Sequence, residues 1–311
     1  MKKLLIFIIN PCAGNGRGTK VWKKIKRELQ RKNVHFRSFL TERPGHAEDL
    51  AKQMAHMHQD HLKGIIAIGG DGTVHEVING LVHHDRVPVG FISAGSGNDF
   101  ARGYHIPKSP IKALNRILSY RPIRVKRYDL GEYRLEKRKH KPGYFASSLG
   151  VGFDGEVTKQ TNQSKSKGLF NKFGLGTLAY VYMLLKVAMT YKPFHLDLTI
   201  DGREYRFEEV WFATTTNIEH FGGGMKISPG AKPNDGILNI CIVHNLSRSK
   251  LFFLFGTVFF GIHTKLKEVE MFTGKEIELS TMGPVTVHAD GEVIGQSPVN
   301  IEVKQSRSII I

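Results

Sequence analysis

The apolar run Gly64-Ile65-Ile66-Ala67-Ile68 breaks off into Gly69-Gly70-Asp71-Gly72-Thr73. This is the pattern of a buried strand emptying into a turn of phosphate size. Glycines at 69, 70 and 72 let backbone N–H groups reach an anion with no Cβ in the way. Asp71 supplies a carboxylate for a metal or a hydroxyl, and Thr73 is placed to cap the helix that follows. Two other segments combine the same residue types. One runs from Asn10 to Gly18 and contains Gly14-Asn15-Gly16-Arg17-Gly18; the other is Ser93-Ala94-Gly95-Ser96-Gly97-Asn98-Asp99-Phe100-Ala101-Arg102. The glycines from 14 to 18, taken alone, match neither Gly-x-Gly-x-x-Gly nor the Walker pattern and read as a turn. Three such loops, each following an apolar run, outweigh that bland reading.

The elements that must position these loops follow a strand, loop and helix rhythm over residues 4 to 120. Strands are expected at 4–9, 35–40, 64–68 and 87–92 and helices at 47–57 and 74–82. A further helix, capped by Thr19, places Val21, Trp22, Ile25 and Leu29 on one face. The rhythm implies an α/β domain with a largely parallel sheet, and all three loops fall at the carboxyl ends of its strands, where ligands of such sheets sit. After Pro122 the texture changes. Stretches at 196–200, 205–213, 237–243 and 285–288 alternate between apolar and polar residues and are separated by Asp-Gly or Pro-Gly turns, as in a mostly antiparallel β domain. Helices are expected at 178–189 and 251–263, and a Lys-, Ser- and Gly-rich segment at 159–176 reads as a mobile loop. The expected division is 1–125 for the first domain and 126–300 for the second, with a final strand at about 300–311 packing back on the first.

With 41% hydrophobic and 23% charged residues among 311, the chain has the composition of a globular protein, and its length favours two domains. Cys12 and Cys241 form no metal-binding pair and no disulfide framework, which fits a reducing cytoplasm. The opening Met1 to Asn10 reads as a strand, since its apolar run is short for a secretion signal. The apolar run 251–262 is shorter than the roughly 20 residues a bilayer crossing needs, so no membrane span is expected. Being apolar all round, it has the pattern of a buried helix, with a membrane-touching helix followed by Lys265 and Lys267 as the alternative. The net charge of +17 draws in nucleotides, nucleic acid or anionic lipid surfaces alike. No recognisable nucleic-acid-binding spacing is present, so nucleic acid ranks last of the three. His56, His58 and His61 lack the companions of a metal site and read as solvated surface. By spacing alone, Asp290-Gly291-Glu292 and Asn234-Asp235-Gly236 are turns.

Taken together, Asn10-Pro11, Gly69 to Thr73 with Glu76 and Asn79-Gly80, Gly95 to Arg102, Asn234-Asp235-Gly236 and Asp290-Gly291-Glu292 resemble the bacterial diacylglycerol kinase and lipid kinase family, in order and over nearly the whole chain. The resemblance implies a Rossmann-like nucleotide domain followed by a β-sandwich-like lipid-acceptor domain. It also implies ATP-dependent transfer of the γ-phosphoryl group to a lipid hydroxyl, most readily that of diacylglycerol. In that pattern Asn10, Pro11, Gly14, Thr41, Gly69, Gly70, Asp71, Gly72, Thr73, Glu76, Ser96, Asn98 and Asp99 form the nucleotide site, with Asp71 and Asp99 organising the Mg²⁺ that travels with ATP. Asp290 is the catalytic base, and Glu292 orients it or helps to bind metal. Asp235 and the carbonyls of Lys232 and Ile237 hold a structural Mg²⁺. The implied partners are a membrane lipid substrate and an anionic membrane surface met peripherally from the cytoplasm; a homodimer is left open, and nucleic acid is not expected. His75 stands where many members of the family carry Asn. A kinase for another lipid alcohol (a sphingoid base, ceramide or an undecaprenol-like alcohol), an NAD kinase-like enzyme, and a nucleotide or nucleic-acid binder without activity are the competing readings.

Overall fold

The computed structural model describes residues 3–58, 61–119, 126–136, 141–163 and 176–310. Two compact units emerge, Met1–Tyr128 with Gln305–Ile311, and Asp129–Lys304.

In the first unit, β1 (Leu4–Ile9), β2 (Phe36–Leu40), β3 (Leu62–Gly69) and β4 (Val89–Ser93) pair in parallel in the order β2-β1-β3-β4. All six residues of β1 and nearly all of β3 are buried, as parallel strands covered on both faces must be. A chain of apolar residues without alternation therefore becomes a central strand. The helices between them are α1 (Ala13–Arg31), α2 (His46–His58) and α3 (Asp71–Leu81), and α4 (Asp99–Gly103) and α5 (Pro110–Leu118) follow β4. Val21, Ile25 and Leu29 of α1 are buried as their spacing requires.

Two helix starts differ from the sequence expectation. Within Ala13–Arg31, Gly14, Asn15 and Gly16 take positive, non-helical φ, so the span is broken by a kink there and its regular turns begin only after Gly16. Thr19 caps nothing; its hydroxyl donates to the carbonyl of Pro11 at 3.2 Å. The third helix begins at Asp71, three residues before the expected start, because Gly70 in extended conformation serves as its N-cap. Thr73 then lies inside the first turn.

The second unit is built on antiparallel strand pairs. It contains β5 (Lys126–Leu135), β6 (Gly143–Phe145), β7 (Ser148–Gly152), β8 (Phe194–Ile200), β9 (Arg203–Thr216), β10 (His220–Phe221), β11 (Met225–Lys226), β12 (Leu238–His244), β13 (Val269–Gly274), β14 (Glu276–Thr281), β15 (Thr286–Ala289), β16 (Glu292–Gln296) and β17 (Val299–Ile310). The path β16-β15-β7-β9-β8-β14-β17 runs through it, and β12 and β13 branch from β9. The long β9 changes character along its length. Residues 203–209 are mostly exposed, whereas 210–216 are buried and pair with both β7 and β12. Two apolar clusters fill the unit. One is built on β8, β12 and β14. The other gathers Trp211 and Cys241 with α6 (Phe153–Gln163), α7 (Gly176–Thr190) and α8 (Arg248–Val258). The final residues of β17 belong to the first unit, where Ile309 and Ile310 pair in parallel with Val89 and Gly90 of β4.

Of the segment expected to be a mobile loop, residues 159–163 close α6 and 176 opens α7, while 164–175 lie outside the described residues. The aromatic run after 250 is only half buried. The helix stops at Val258, Gly261 adopts φ 69°, and a 3₁₀ turn follows at Ile262–Lys265, leaving Phe252, Phe253, Phe259, Phe260 and Ile262 exposed. Among the described residues no helix is long and apolar enough to cross a membrane.

Candidate functional site

The three glycine loops of the first unit touch one another. Asn10 leaves β1 and donates from Nδ2 to the Thr73 hydroxyl at 3.2 Å, while its Oδ1 accepts the N–H of Cys12 at 3.0 Å. One amide thus ties the first loop to the second. The N–H groups of Ala94 and Gly95 donate to the carbonyl of Gly69 at 2.6 and 3.1 Å, which ties the third loop to the second. These approaches need glycine. A Cβ on Gly95 would lie 2.5 Å from the Cα of Gly70, one on Gly14 2.3 Å from the Ala94 carbonyl oxygen, and one on Gly18 2.0 Å from that of Asn10.

The carboxylates here are spoken for. Asp71 accepts the N–H of Phe100 at 3.0 Å and is further stabilised by those of Asp99 and Asn98, so it caps the start of α4. Burial, and secondly the negative charge of Asp99, push it up to about 6 despite those three donors. Asp99 is buried and holds Arg102 at 2.6 Å, and Arg102 also donates to the Gly97 carbonyl. Asn98 takes φ 56° and donates from its side chain to the Gly95 carbonyl at 2.8 Å. Both oxygens of Glu76 accept backbone N–H groups at 2.9 Å, from Gly45 and Ala47, so this side chain fastens α3 to the start of α2. Thr41 is attached through its N–H to the Ile9 carbonyl at 2.8 Å, and Ser96 is exposed. His75 sits next to Asn79, whose amide donates to its carbonyl at 2.9 Å.

In the second unit Asp290 occupies the turn between β15 and β16 with φ 48°. That left-handed conformation is one that Asp and Asn tolerate. Its Oδ1 accepts the N–H groups of Ser147 and Ser148 at 2.8 and 3.1 Å, and its Oδ2 accepts that of Ala146 at 3.0 Å. Three backbone donors hold this half-buried carboxylate in one orientation. Glu292 stands exposed at the start of β16. The orienting donors are therefore the backbone of 146–148, which no local motif announces.

Behind Asp290 lies a buried polar cluster that the sequence reading missed. Asp154 accepts the Thr214 hydroxyl at 2.6 Å and its neighbour Gly155 N–H at 2.8 Å. Fully buried His288 brings Nε2 to 3.3 Å from the same carboxylate, and its ring stacks on Phe221 at 5.0 Å. Gly150 makes room for both, since a Cβ there would be 1.9 Å from Asp154 Oδ2. The cluster fixes β15, and with it the approach to Asp290. An apolar cavity of about 40 Å³, lined by Phe153, Val157, Phe212 and Phe255 with Asp154 and Thr214 in its wall, is too small for an acyl chain as it stands.

The turn 232–237 is pinned from below. Buried Asp129 accepts the Gly236 N–H at 2.8 Å, and its own N–H donates to the Pro233 carbonyl at 2.7 Å. Asp235 is exposed, and its Oδ1 accepts the Ile237 N–H at 3.3 Å.

Among the described residues, no group of three or more His, Cys, Asp and Glu side chains could hold a metal. Asp71 is committed to the start of α4 and Asp99 to Arg102, so the expectation that these two organise Mg²⁺ does not fit. Asp235 in the turn 232–237 is an exposed carboxylate, of the oxygen type that a hard cation takes.

A parallel-sheet unit with three interlocked glycine loops, followed by an antiparallel β unit, is the architecture of a class of kinases. Residues 4–131 match the diacylglycerol kinase catalytic domain, and residues 147–308 match the YegS C-terminal NAD kinase beta sandwich-like domain. The chain is 40% identical over 295 residues to "Putative lipid kinase YtlR" of Bacillus subtilis (strain 168), covering 95% of each chain. It is 28% identical to a diacylglycerol kinase of Mycobacterium tuberculosis (strain ATCC 25618 / H37Rv), covering 94% of this chain and 90% of that one. A crystal structure of a diacylglycerol kinase from Bacillus anthracis str. Sterne superposes with a TM-score of 0.73 at 23% identity, covering 99% of this chain and 96% of that one. The chain belongs to the bacterial diacylglycerol kinase and lipid kinase family.

Proposed function

We propose that this protein transfers the γ-phosphoryl group of ATP to the hydroxyl of diacylglycerol, giving phosphatidic acid and ADP. The observation that carries the reading is Asp290, a carboxylate locked by three backbone N–H groups in a strand-to-turn position. Phosphoryl transfer asks a protein for positioning, charge neutralisation and a base for the acceptor proton. Asp290 takes the hydroxyl proton, the freed oxygen bonds to the γ-phosphorus, and the bond to the ADP oxygen breaks. Residues 1–125 serve as the nucleotide domain and 126–300 as the acceptor domain. In the first, Gly69, Gly70, Gly72 and Thr73 present the triphosphate with backbone and hydroxyl donors, Ser96 adds a hydroxyl, and Asn10, Pro11, Gly14 and Thr41 shape the nucleotide pocket. Asp71, Glu76, Asn98 and Asp99 act as positioning residues that hold the loops in register. Asp235 with the carbonyls of Lys232 and Ile237 would hold Mg²⁺, which would stiffen its turn.

Diacylglycerol as acceptor is supported by the names of the relatives. The test is a screen with γ-labelled ATP against dioleoylglycerol, a sphingoid base, ceramide and an undecaprenol-like alcohol in detergent micelles, and against NAD in solution. Label in phosphatidic acid is the expected result. Label in another lipid phosphate moves the acceptor, and label in NADP or in no product overturns the lipid reading.

A further inference from the structure

The aromatic segment after 250 is built to stand out of the surface. Phe253 is 80% and Phe260 76% exposed, with Phe252, Phe259, Ile262 and Leu266 partly exposed beside them in sequence. These are not frayed ends. Leu251 and Val258 on the other side of α8 belong to the buried cluster around Trp211, and Phe255 packs edge-on against Phe259 at 5.5 Å. Beyond the helix, His263 is buried and its Nε2 lies 3.0 Å from the Ile227 carbonyl, anchoring the 3₁₀ turn that carries Ile262. Gly261 lets that turn sit against Pro229, where a Cβ would come within 2.8 Å. Rigid anchors thus hold apolar tips in water, at a cost that a monomer alone does not recover.

Charge chooses the partner. Lys265 and Lys267 are exposed on the turn, and Arg248 and Lys250 are exposed at the start of α8, against Glu268, which Lys250 holds at 2.7 Å, and exposed Glu270 beyond it. Exposed aromatic rings bordered by cations match a bilayer surface, where rings enter the headgroup level and Lys and Arg meet anionic lipid. We infer that the tips of α8 and the following turn, led by Phe253 and Phe260 and flanked by Lys265 and Lys267, dock this protein on an anionic lipid surface. The choice of a lipid partner rests on the lipid-acceptor reading, but the test below does not.

Binding is measured by co-sedimentation with vesicles of phosphatidylcholine and phosphatidylglycerol, free of diacylglycerol and nucleotide. Each phenylalanine tip contributes about tenfold to partitioning, so Phe253→Ser with Phe260→Ser should weaken binding by about 100-fold. Lys265→Gln and Lys267→Gln should each cost about fivefold on anionic vesicles and nothing on phosphatidylcholine alone. Met282→Ser, at an 83% exposed methionine outside this segment, should leave binding unchanged. All these side chains are exposed, so thermal melts of the variants should match the parent. Undiminished vesicle binding by the double phenylalanine variant overturns the inference, as does an equal loss for Met282→Ser. Conversion of a dimer to a monomer with vesicle affinity intact also overturns it and assigns the face to a second copy. A protein that labels diacylglycerol in detergent yet fails these tests loses only the docking surface. One that docks as expected but labels no lipid loses only the kinase reading.

Discussion

Replacing Asp290 separates its structural from its proposed chemical role. In Asp290→Ala all three backbone donors of Ala146, Ser147 and Ser148 lose their acceptor. In this half-buried turn each costs about 1 kcal/mol. An alanine at φ 48° adds about 1 kcal/mol of backbone strain, so the variant should be destabilised by about 4 kcal/mol. Asp290→Asn keeps one carbonyl oxygen for Ser147 and Ser148, accepts the left-handed backbone, and turns its NH₂ toward only the Ala146 donor. Its loss should be about 1–2 kcal/mol. Neither variant has a carboxylate to take a proton, so both should lose the roughly 10²- to 10⁴-fold that a general base provides, with ATP affinity unchanged. Urea unfolding, calorimetric ATP titration and labelled-phosphate transfer measure the three quantities. Equal destabilisation by Asn and Ala would refute the account of the turn, and more than a tenth of parent turnover in Asp290→Asn would refute the role of base.

Three other outcomes are expected. Gly95→Ala forces a Cβ to within 2.5 Å of the Gly70 backbone, so it should cost about 1–3 kcal/mol in urea unfolding and weaken ATP binding; parent-like values for both would show that the loops do not need this contact. Asp71 stands at about 6 in the fold against an ordinary 3.8, so the folded chain binds more protons than the unfolded one between those values. Its contribution to stability is therefore complete below about pH 4 and lost as pH rises through about 6, and the difference between the parent and Asp71→Asn in unfolding free energy should decline over that window rather than stay flat. Millimolar Mg²⁺ should raise the melting temperature of the parent and leave that of Asp235→Ala unmoved, because a cation that binds only the folded turn stabilises it by mass action; equal shifts would remove the cation from this turn.

Much of the architecture was legible because burial leaves a direct trace. The short, unbroken apolar runs of β1 and β3, each emptying into a glycine-bearing loop, read as covered parallel strands, and alternation at 196–200 marked a strand with one wet face. The glycine loops could be found because close backbone approach, as between Gly95 and Gly70, excludes every other residue. What escaped depends on partners far along the chain. The donors that orient Asp290 lie more than 140 residues before it, and the hold of Asp129 on Gly236 spans 107. Backbone groups carry no residue signature, so neither contact could be read. Thr19 and Thr73 look like caps because hydroxyls at helix starts usually are, but the regular turns of the first helix start directly after the left-handed residues 14–16, ahead of Thr19, and Asn10 claims the Thr73 hydroxyl. The aromatic run misled for a related reason. Apolar character all round implies burial only while a helix continues, and this one ends at Val258, with Gly261 turning the next rings outward.

The parallel pairing of Ile309 and Ile310 with Val89 and Gly90 has a consequence for biosynthesis. As the chain leaves the ribosome, β4 emerges with β3 on one flank and nothing on the other, an open template for any passing extended segment. At ordinary elongation speeds the residues that close it arrive roughly ten to forty seconds later. Until then that edge stays open on the nascent polypeptide, and removal of its last few residues should register first as insoluble product.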